Sequence, residues 1–289
     1  MTTKAVEPVD RALRQVETIS AVGLALASME YLARPDLFED TGLMSWEVER
    51  LRIRMLAGKK ADFLNVLFKP PGIYVLLNLR LVAALTLINP KSDRTSRDIA
   101  VAFIAVTNYL LAVRIRAGTD GTEHMSQLTY MALLAARLFP NDPKARAASA
   151  WFIGGQSMLS YLAAGLAKAA GPSWRQGQAM PGIFRTYVYG DERVYKILKD
   201  RPMLSKLAGW GVIVGESIVP LALILPKKSA WGMLAAGASF HAGNAMFMGL
   251  NRFLWSFVGT YPAVVYMSKH MNLDDVSPKK LLRVFRKRR

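Results

Sequence analysis

Residues 205–226 read SKLAGWGVIVGESIVPLALILP, and this stretch decides the fold. Lys206 and Glu216 are the two charged residues in it, and Lys206 lies at its beginning. A helix of about 20 mostly apolar residues is long enough to cross the hydrocarbon core of a bilayer. The stretch therefore predicts a transmembrane helix with one carboxylate in its interior.

The whole chain has the composition of a membrane protein. Hydrophobic residues make up 52% of its 289 residues, and the mean hydropathy is +0.18. This value is positive although the chain carries 38 basic and 21 acidic side chains. The apolar residues must therefore be gathered into long runs, as they are in multi-spanning proteins.

Apolar runs separated by charges and by Pro or Gly predict an all-α fold, a polytopic transmembrane helical bundle of about eight spans. Alternation typical of a membrane β-barrel is absent from the sequence. We expect a transmembrane domain over 1–268 and a basic cytoplasmic tail over 269–289. The predicted spans are 17–33, 72–89, 98–113, 124–139, 148–169, 205–226, 230–250 and 252–268.

Two long connections separate these spans. The 34–71 connection mixes acids and bases with leucines near helical spacing, which predicts an amphipathic helix lying on the membrane. The 170–204 connection interleaves aromatic and cationic side chains, a pattern typical of the headgroup region.

The net charge of +17 indicates a membrane surface as the partner. Eight basic and two acidic residues lie between Lys269 and Arg289, directly after the last apolar run. Such a block favours an anionic cytoplasmic leaflet. No motif or basic domain interleaved with aromatic residues indicates a nucleic-acid partner. We expect both termini in the cytoplasm of a bacterial cell, with the protein in the plasma membrane.

The chain has no cysteine and three histidines. Disulfides, thiolate catalysis and cysteine-ligated metal sites are therefore excluded. The histidines show no i, i+4 pairing, so we expect no metal site.

Polar side chains inside apolar runs are candidates for function. Arg80, Glu216 and His241 each lie in the middle of a predicted span. The alternative for each is a structural contact between helices, and Arg80 and Glu216 can pair with one another. Small residues, Gly237 and Ala245, flank His241 at i−4 and i+4, which permits close approach of a helix or of a ligand.

The order of the predicted spans places His124 and Lys168 at the same membrane face. His124 opens the fourth predicted span and Lys168 ends the fifth, so both are expected at the external membrane face. The alternative for Lys168 is a side chain that extends to the interface without further function.

Residues 161–180 read YLAAGLAKAAGPSWRQGQAM and resemble a segment of the vitamin K-dependent γ-glutamyl carboxylases and of their wider family, the HTTM membrane domains. The His124 region, the run FHAGNAMFMGLNRF at 240–253 and TGLMSW at 41–46 also match, in the expected order. The resemblance covers roughly residues 15–268, which makes 1–268 an HTTM-like domain. The residues shared with the first motif are Tyr161, Ala164, Gly165, Lys168, Trp174, Gly177 and Met180.

The resemblance implies a quinol-dependent enzyme of carboxylase or epoxidase type. Lys168 matches the base that deprotonates reduced vitamin K, and His124 matches a histidine of the same site. His241 falls where the family also has a histidine. The implied cofactor is a reduced quinone, and the substrate a peptide or a small molecule. A lysine acts as a base only when neutral, so Lys168 would need a dry pocket. The residues expected to line the cofactor pocket are Tyr161, Trp174, Glu216 and Arg80.

Two departures from the carboxylases leave an alternative open. The carboxylases carry a large further domain after the membrane part, whereas this sequence ends soon after the last predicted span, as in a short form of the family. Glu123 also stands where carboxylases usually have Asn before the matched histidine. The alternative is a non-catalytic membrane partner in the maturation or export of a peptide or toxin.

The predicted topology can be tested in this cysteine-free chain. We expect a cysteine introduced at Ser277 to be protected from an impermeant thiol reagent in intact cells, because the basic tail is cytoplasmic. A cysteine at Ser173, in the predicted external connection, should react. Labelling at Ser277 with protection at Ser173 would invert the topology.

Overall fold

The computed structural model describes residues 7–54, 56, 58–115 and 121–271, and all regular structure in these residues is helical. The predicted all-α class is confirmed. Most of the predicted 269–289 tail lies outside the described residues.

Fourteen α-helices occur in the described residues, and ten of them have eight or more residues and form the bundle or its rim. In chain order, the first seven are α1 (Pro8–Leu32), α2 (Trp46–Glu49), α3 (Asn65–Phe68), α4 (Gly72–Ile88), α5 (Arg94–Arg114), α6 (Gly121–Leu138) and α7 (Pro143–Ala170). The others are α8 (Pro172–Arg175), α9 (Ala179–Phe184), α10 (Glu192–Lys199), α11 (Pro202–Ile218), α12 (Lys227–Met248), α13 (Asn251–Val258) and α14 (Tyr261–His270). A 3₁₀ turn, Val219–Leu223, extends α11.

All eight predicted apolar segments are helical, but few of these helices are long and apolar enough to cross a membrane. Two described helices are long and apolar enough to span a membrane, Arg94–Arg114 and Pro202–Leu223. A third span results if Asp62–Phe68 and Gly72–Ile88, which are bent by 53°, form one. The predicted 252–268 span is broken between α13 and α14 at Gly259 and Thr260. The structure thus supports a membrane protein with two or three such helices.

The bundle has two packed halves that share α7. In one half, α1, α4, α5 and α6 enclose a core of small and β-branched side chains that includes Val16 and Ile104. In the other, α7 packs against α11 and α14, and its core includes Met158, Tyr161 and Leu234. Side chains in the first half of α7, such as Ile153, belong to one core, and side chains in its second half, such as Tyr161, belong to the other.

The predicted amphipathic helix over 34–71 is wrong. The connection contains only short helical pieces, namely Pro35–Phe38, α2, Arg50–Arg52, Lys59–Leu64 and α3. Turn residues interrupt the helical pattern. At Gly42, a Cβ atom would lie 2.2 Å from the carbonyl oxygen of Asp36, so only glycine fits this close turn.

The 171–201 connection folds back along α11 through α8, α9 and α10. The Asp191 carboxylate caps α10 by accepting from the N–H groups of Arg193 and Val194. Hydrogen bonds from the Arg193 side chain and the Val194 N–H lower the pKa of Asp191 to about 2. Tyr187 in this connection is fully exposed, and its location at a headgroup interface stays a prediction.

A buried ionic cluster joins three helices at one end of the bundle. Glu17 of α1 is 2% exposed and accepts from Arg97 of α5 at 3.0 Å and from Arg137 of α6 at 2.6 Å. Arg137 Nε also lies 2.7 Å from the Asp98 carboxylate. A carboxylate shared by two arginines compensates charges that apolar surroundings would otherwise disfavour.

Removing the shared carboxylate should destabilise the bundle. We expect Glu17→Ala to lower the free energy of unfolding by about 3–5 kcal/mol, because Arg97 is left buried without its partner. Denaturant titration in detergent micelles measures this change. As a matched control, Glu192→Ala removes an exposed carboxylate paired with Lys196 and should leave the midpoint unchanged. Equal midpoints for the two variants would contradict the structural role of Glu17.

Candidate functional site

The backbones of α7 and α11 approach closely at Gly165. A Cβ atom there would lie 2.4 Å from Ser217 Oγ and 2.8 Å from the Ser217 nitrogen, so no larger residue fits. Helices in membranes associate through such small residues. The close contact brings Lys168, one turn after Gly165 on α7, within reach of Glu216, the neighbour of Ser217 on α11.

Lys168 and Glu216 form an ion pair just beyond this contact. Lys168 Nζ lies 2.6 Å from Glu216 Oε2, and the two side chains are 23% and 10% exposed. The Trp174 ring covers the ammonium, with Nζ 5.4 Å from the ring centroid. A carboxylate and an aromatic face therefore hold Lys168, and its amine does not extend freely to the interface.

Tyr161 is the central member of a second cluster of polar side chains on the same side of α7. Its hydroxyl lies 2.6 Å from His241 Nε2 of α12 and 2.7 Å from the Tyr261 hydroxyl of α14. When Tyr161 donates to Nε2 and accepts from Tyr261, the imidazole carries its proton on Nδ1. That atom is buried and has no hydrogen-bond partner among the described residues. The rings of Phe253 and Phe257 pack against His241.

Gly237 makes room for the tyrosine pair beside α12. A Cβ at this position would lie 2.6 Å from the Tyr261 hydroxyl and 3.3 Å from the Tyr161 hydroxyl. The small residue at i−4 from His241 thus serves close approach, as its spacing in the sequence suggested, and the group that approaches is a pair of phenols.

Glu216 and Tyr161 both line a cavity of about 230 Å³ between α7, α11 and α12. The rest of the wall is apolar or glycine, including Gly211, Gly215 and Phe240. Sites for small organic molecules have this character, with a few placed polar groups in an apolar surface. The described residues thus form a pocket with a carboxylate and a phenol on its wall.

His124 does not join this pocket. It is exposed in the first turn of α6, and its neighbour Met125 contacts Gln156 in the middle of α7. Lys168 lies 12 residues beyond Gln156, about 18 Å further along the helix. The predicted meeting of His124 and Lys168 is therefore wrong, because α7 with 28 residues extends well past the start of α6 with 18.

Arg80 lies elsewhere too. It is buried in the other half of the bundle, where its guanidinium donates to Thr107 at 2.5 Å and to Asn108 at 2.8 Å. The predicted pairing of Arg80 with Glu216 is wrong, although both side chains are buried as expected. Of the predicted site residues, Lys168, Glu216, Tyr161, His241 and Trp174 come together.

Tyr261 is the site residue that the sequence analysis missed. It lies at the break between α13 and α14, within an apolar run that was interpreted as one continuous span. A phenol directly before Pro262 in such a run was the available signal. The break turns α14 so that Tyr261 packs on α7.

No family model, curated protein or solved structure matches the chain. The resemblance to the HTTM domains therefore rests on the motifs in the sequence alone.

The tyrosine–histidine pair should contribute to stability. We expect Tyr161→Phe to lower the free energy of unfolding by about 1–3 kcal/mol, since it leaves His241 and Tyr261 without a shared buried partner. The matched control is Tyr109→Phe on α5, whose side chain is 64% exposed. Unfolding curves in micelles should separate the two variants. Coinciding curves would show that the Tyr161 hydroxyl is not engaged.

Proposed function

We propose that the chain is a membrane-embedded enzyme that binds a quinol-type aromatic ring in the Glu216–Tyr161 cavity and removes a proton from its hydroxyl. The observation that carries the proposal is the Lys168–Glu216 ion pair at the wall of an otherwise apolar cavity. We further propose that the eight helical segments form the spans of one bundle in a bacterial plasma membrane, with both termini cytoplasmic.

The wall of the cavity suits a small aromatic diol. Glu216 can accept a hydrogen bond from one ring hydroxyl, and Tyr161 can bond to another oxygen of the ring. At about 230 Å³ the cavity is smaller than a pocket for a drug-sized ligand, about 300–1,000 Å³, and fits a one- or two-ring headgroup. A bound hydroquinone would supply an aromatic hydroxyl proton and two electrons.

We propose different tasks for Lys168 and Glu216. Lys168 donates to the Glu216 carboxylate at 2.6 Å, and an ammonium in that role has no lone pair to accept a proton. Glu216 faces the cavity and can take the proton of a bound hydroxyl. Lys168 then positions the carboxylate and balances its charge. The proposal thus moves the role of the base from Lys168, where the resemblance places it, to Glu216.

Substitution at Glu216 and Lys168 tests this assignment. We expect Glu216→Gln to abolish the protein-catalysed oxidation of a short-chain hydroquinone by dissolved dioxygen in nanodiscs, because the amide cannot accept the proton. Dioxygen takes the two electrons and two protons of the hydroquinone and leaves as hydrogen peroxide. Lys168→Arg should retain turnover, since arginine keeps the positive charge beside Glu216. Absorbance of the quinone product reports the rate. Turnover in Glu216→Gln, or its loss in Lys168→Arg with binding intact, would contradict the assignment and favour Lys168 as the base.

Filling the cavity tests the location of the ligand. A Cβ at Gly215 or at Gly232 meets no atom within 4 Å, so both positions accept a larger side chain, but only Gly215 lines the cavity. We expect Gly215→Leu to weaken hydroquinone binding at least about tenfold, a loss of roughly 1.4 kcal/mol. Gly232→Leu should bind as the original chain does. Equal affinities would place the ligand elsewhere.

A second candidate is a non-catalytic partner in the maturation or export of a peptide. The exposed apolar side chains of the 171–201 connection favour it, with Tyr187 and Val188 both largely exposed. Large exposed apolar groups commonly mark contact surfaces. Under this function, replacing both by serine would abolish peptide maturation, whereas Glu216→Gln would leave it unchanged.

A further inference from the structure

Four arginines are buried in the described residues, and Arg80 combines neutral hydrogen-bond partners with a position on the wall of a cavity. Arg97 is paired with Glu17 and Arg50 with Asp62. Arg114 donates to the carbonyl oxygens of Phe68 and Met44 and also lies against aromatic rings. Arg97 and Arg50 are thus compensated by carboxylates. Arg114 has neutral partners and leaves Nη2 without a hydrogen-bond partner among the described residues, but it does not line the cavity that Arg80 lines.

Arg80 is 5% exposed and lies in the middle of α4. Its guanidinium has five N–H groups, and the described residues accept two of them, through Thr107 and Asn108. No carboxylate of the described residues lies within ion-pair distance of it. A buried cation with neutral partners only is costly in apolar surroundings.

Arg80 lines a cavity between α1, α4, α5, α6 and α13, which shares no lining residue with the Glu216–Tyr161 cavity. Asn108 and Ser126 share its wall. The Asn108 amide donates to Ser126 Oγ at 3.1 Å while its oxygen accepts from Arg80. Ser126 thus accepts from Asn108 and retains its own hydroxyl proton, which it can donate into the cavity.

We infer that this cavity is a binding site for a small carboxylate, whose negative charge completes the compensation of Arg80. The free N–H groups of Arg80 and the Ser126 hydroxyl are its donors. Arginine matches the planar, two-oxygen geometry of a carboxylate with paired hydrogen bonds. Glu123 also borders the cavity, and Arg252 neutralises it at 2.9 Å.

The size of the cavity limits the ligand. Its volume of about 60 Å³ accommodates about four to six water-sized particles at about 10–15 Å³ each. This room suits a carboxylate of three or four heavy atoms. A longer carboxylate, such as a fatty acid of the bilayer, would have to leave its chain outside the cavity.

The full chain in zwitterionic nanodiscs tests the inference by binding and thermal unfolding, which do not depend on quinol turnover. We expect formate and acetate to raise the unfolding midpoint saturably at constant ionic strength. Gluconate, a carboxylate too large for the cavity, should have no such effect. Octanoate separates the two sources of a carboxylate, and the small-ligand assignment predicts that it binds no more tightly than acetate.

Variants at the cavity locate the binding. We expect Arg80→Met to weaken formate binding at least about thirtyfold, the effect of removing one partner of a buried charge pair. Ala27→Leu, which fills the cavity without touching the charge, should do the same if Arg80→Met does not fold. Arg94→Met is the matched control, because its side chain is 79% exposed, and it should bind normally. Unaltered formate affinity in a folded Arg80→Met or Ala27→Leu protein, or no formate effect in the original chain, would overturn the inference.

Discussion

A charge inside an apolar helical bundle has to be compensated. At the wall of the Glu216–Tyr161 cavity, the Lys168–Glu216 ion pair provides this compensation. Taking either group out of water alone is costly, so the two are held together between α7 and α11 at 2.6 Å. The close helix contact at Gly165 makes that distance possible. The charged group on the cavity wall and the proposed proton transfer both depend on this one pair.

The same constraint organises the other buried charges. Glu17 binds two arginines and joins α1, α5 and α6 at one end of the bundle. Arg80 has only neutral protein partners, as Arg114 does, but of these two only Arg80 lines the cavity beside Asn108 and Ser126. The Glu17 cluster is compensated within the protein, whereas at Arg80 we infer that a bound carboxylate supplies the missing charge.

Much of the fold could be predicted from the sequence, because long apolar runs have few alternatives to helices. The grouping of Lys168 with Tyr161 could also be predicted from the sequence, since i, i+7 spacing along one helix places both on one face. Trp174 lies on α8, just after that helix ends, and its place in the group was implied by the family resemblance alone. Partners on other helices could not be predicted. His124 lies outside the site because α7 is so long that Lys168 extends well past the start of α6. Tyr261 belongs to the site because a helix break precedes it, and the periodicity of the sequence did not predict this break. Opposite charge alone suggested an ion pair between Arg80 and Glu216, but the two residues lie in different halves of the bundle.

The most direct measurement is an experimental structure of the full chain in nanodiscs with a short-chain hydroquinone bound. The account predicts the ring between α7, α11 and α12, with one hydroxyl within hydrogen-bond distance of Glu216 and the other oxygen near Tyr161. It also predicts that Lys168 stays paired with Glu216 behind the ring. A ring that contacts Lys168 directly while Glu216 is turned away, or an empty cavity at saturating hydroquinone, would contradict it.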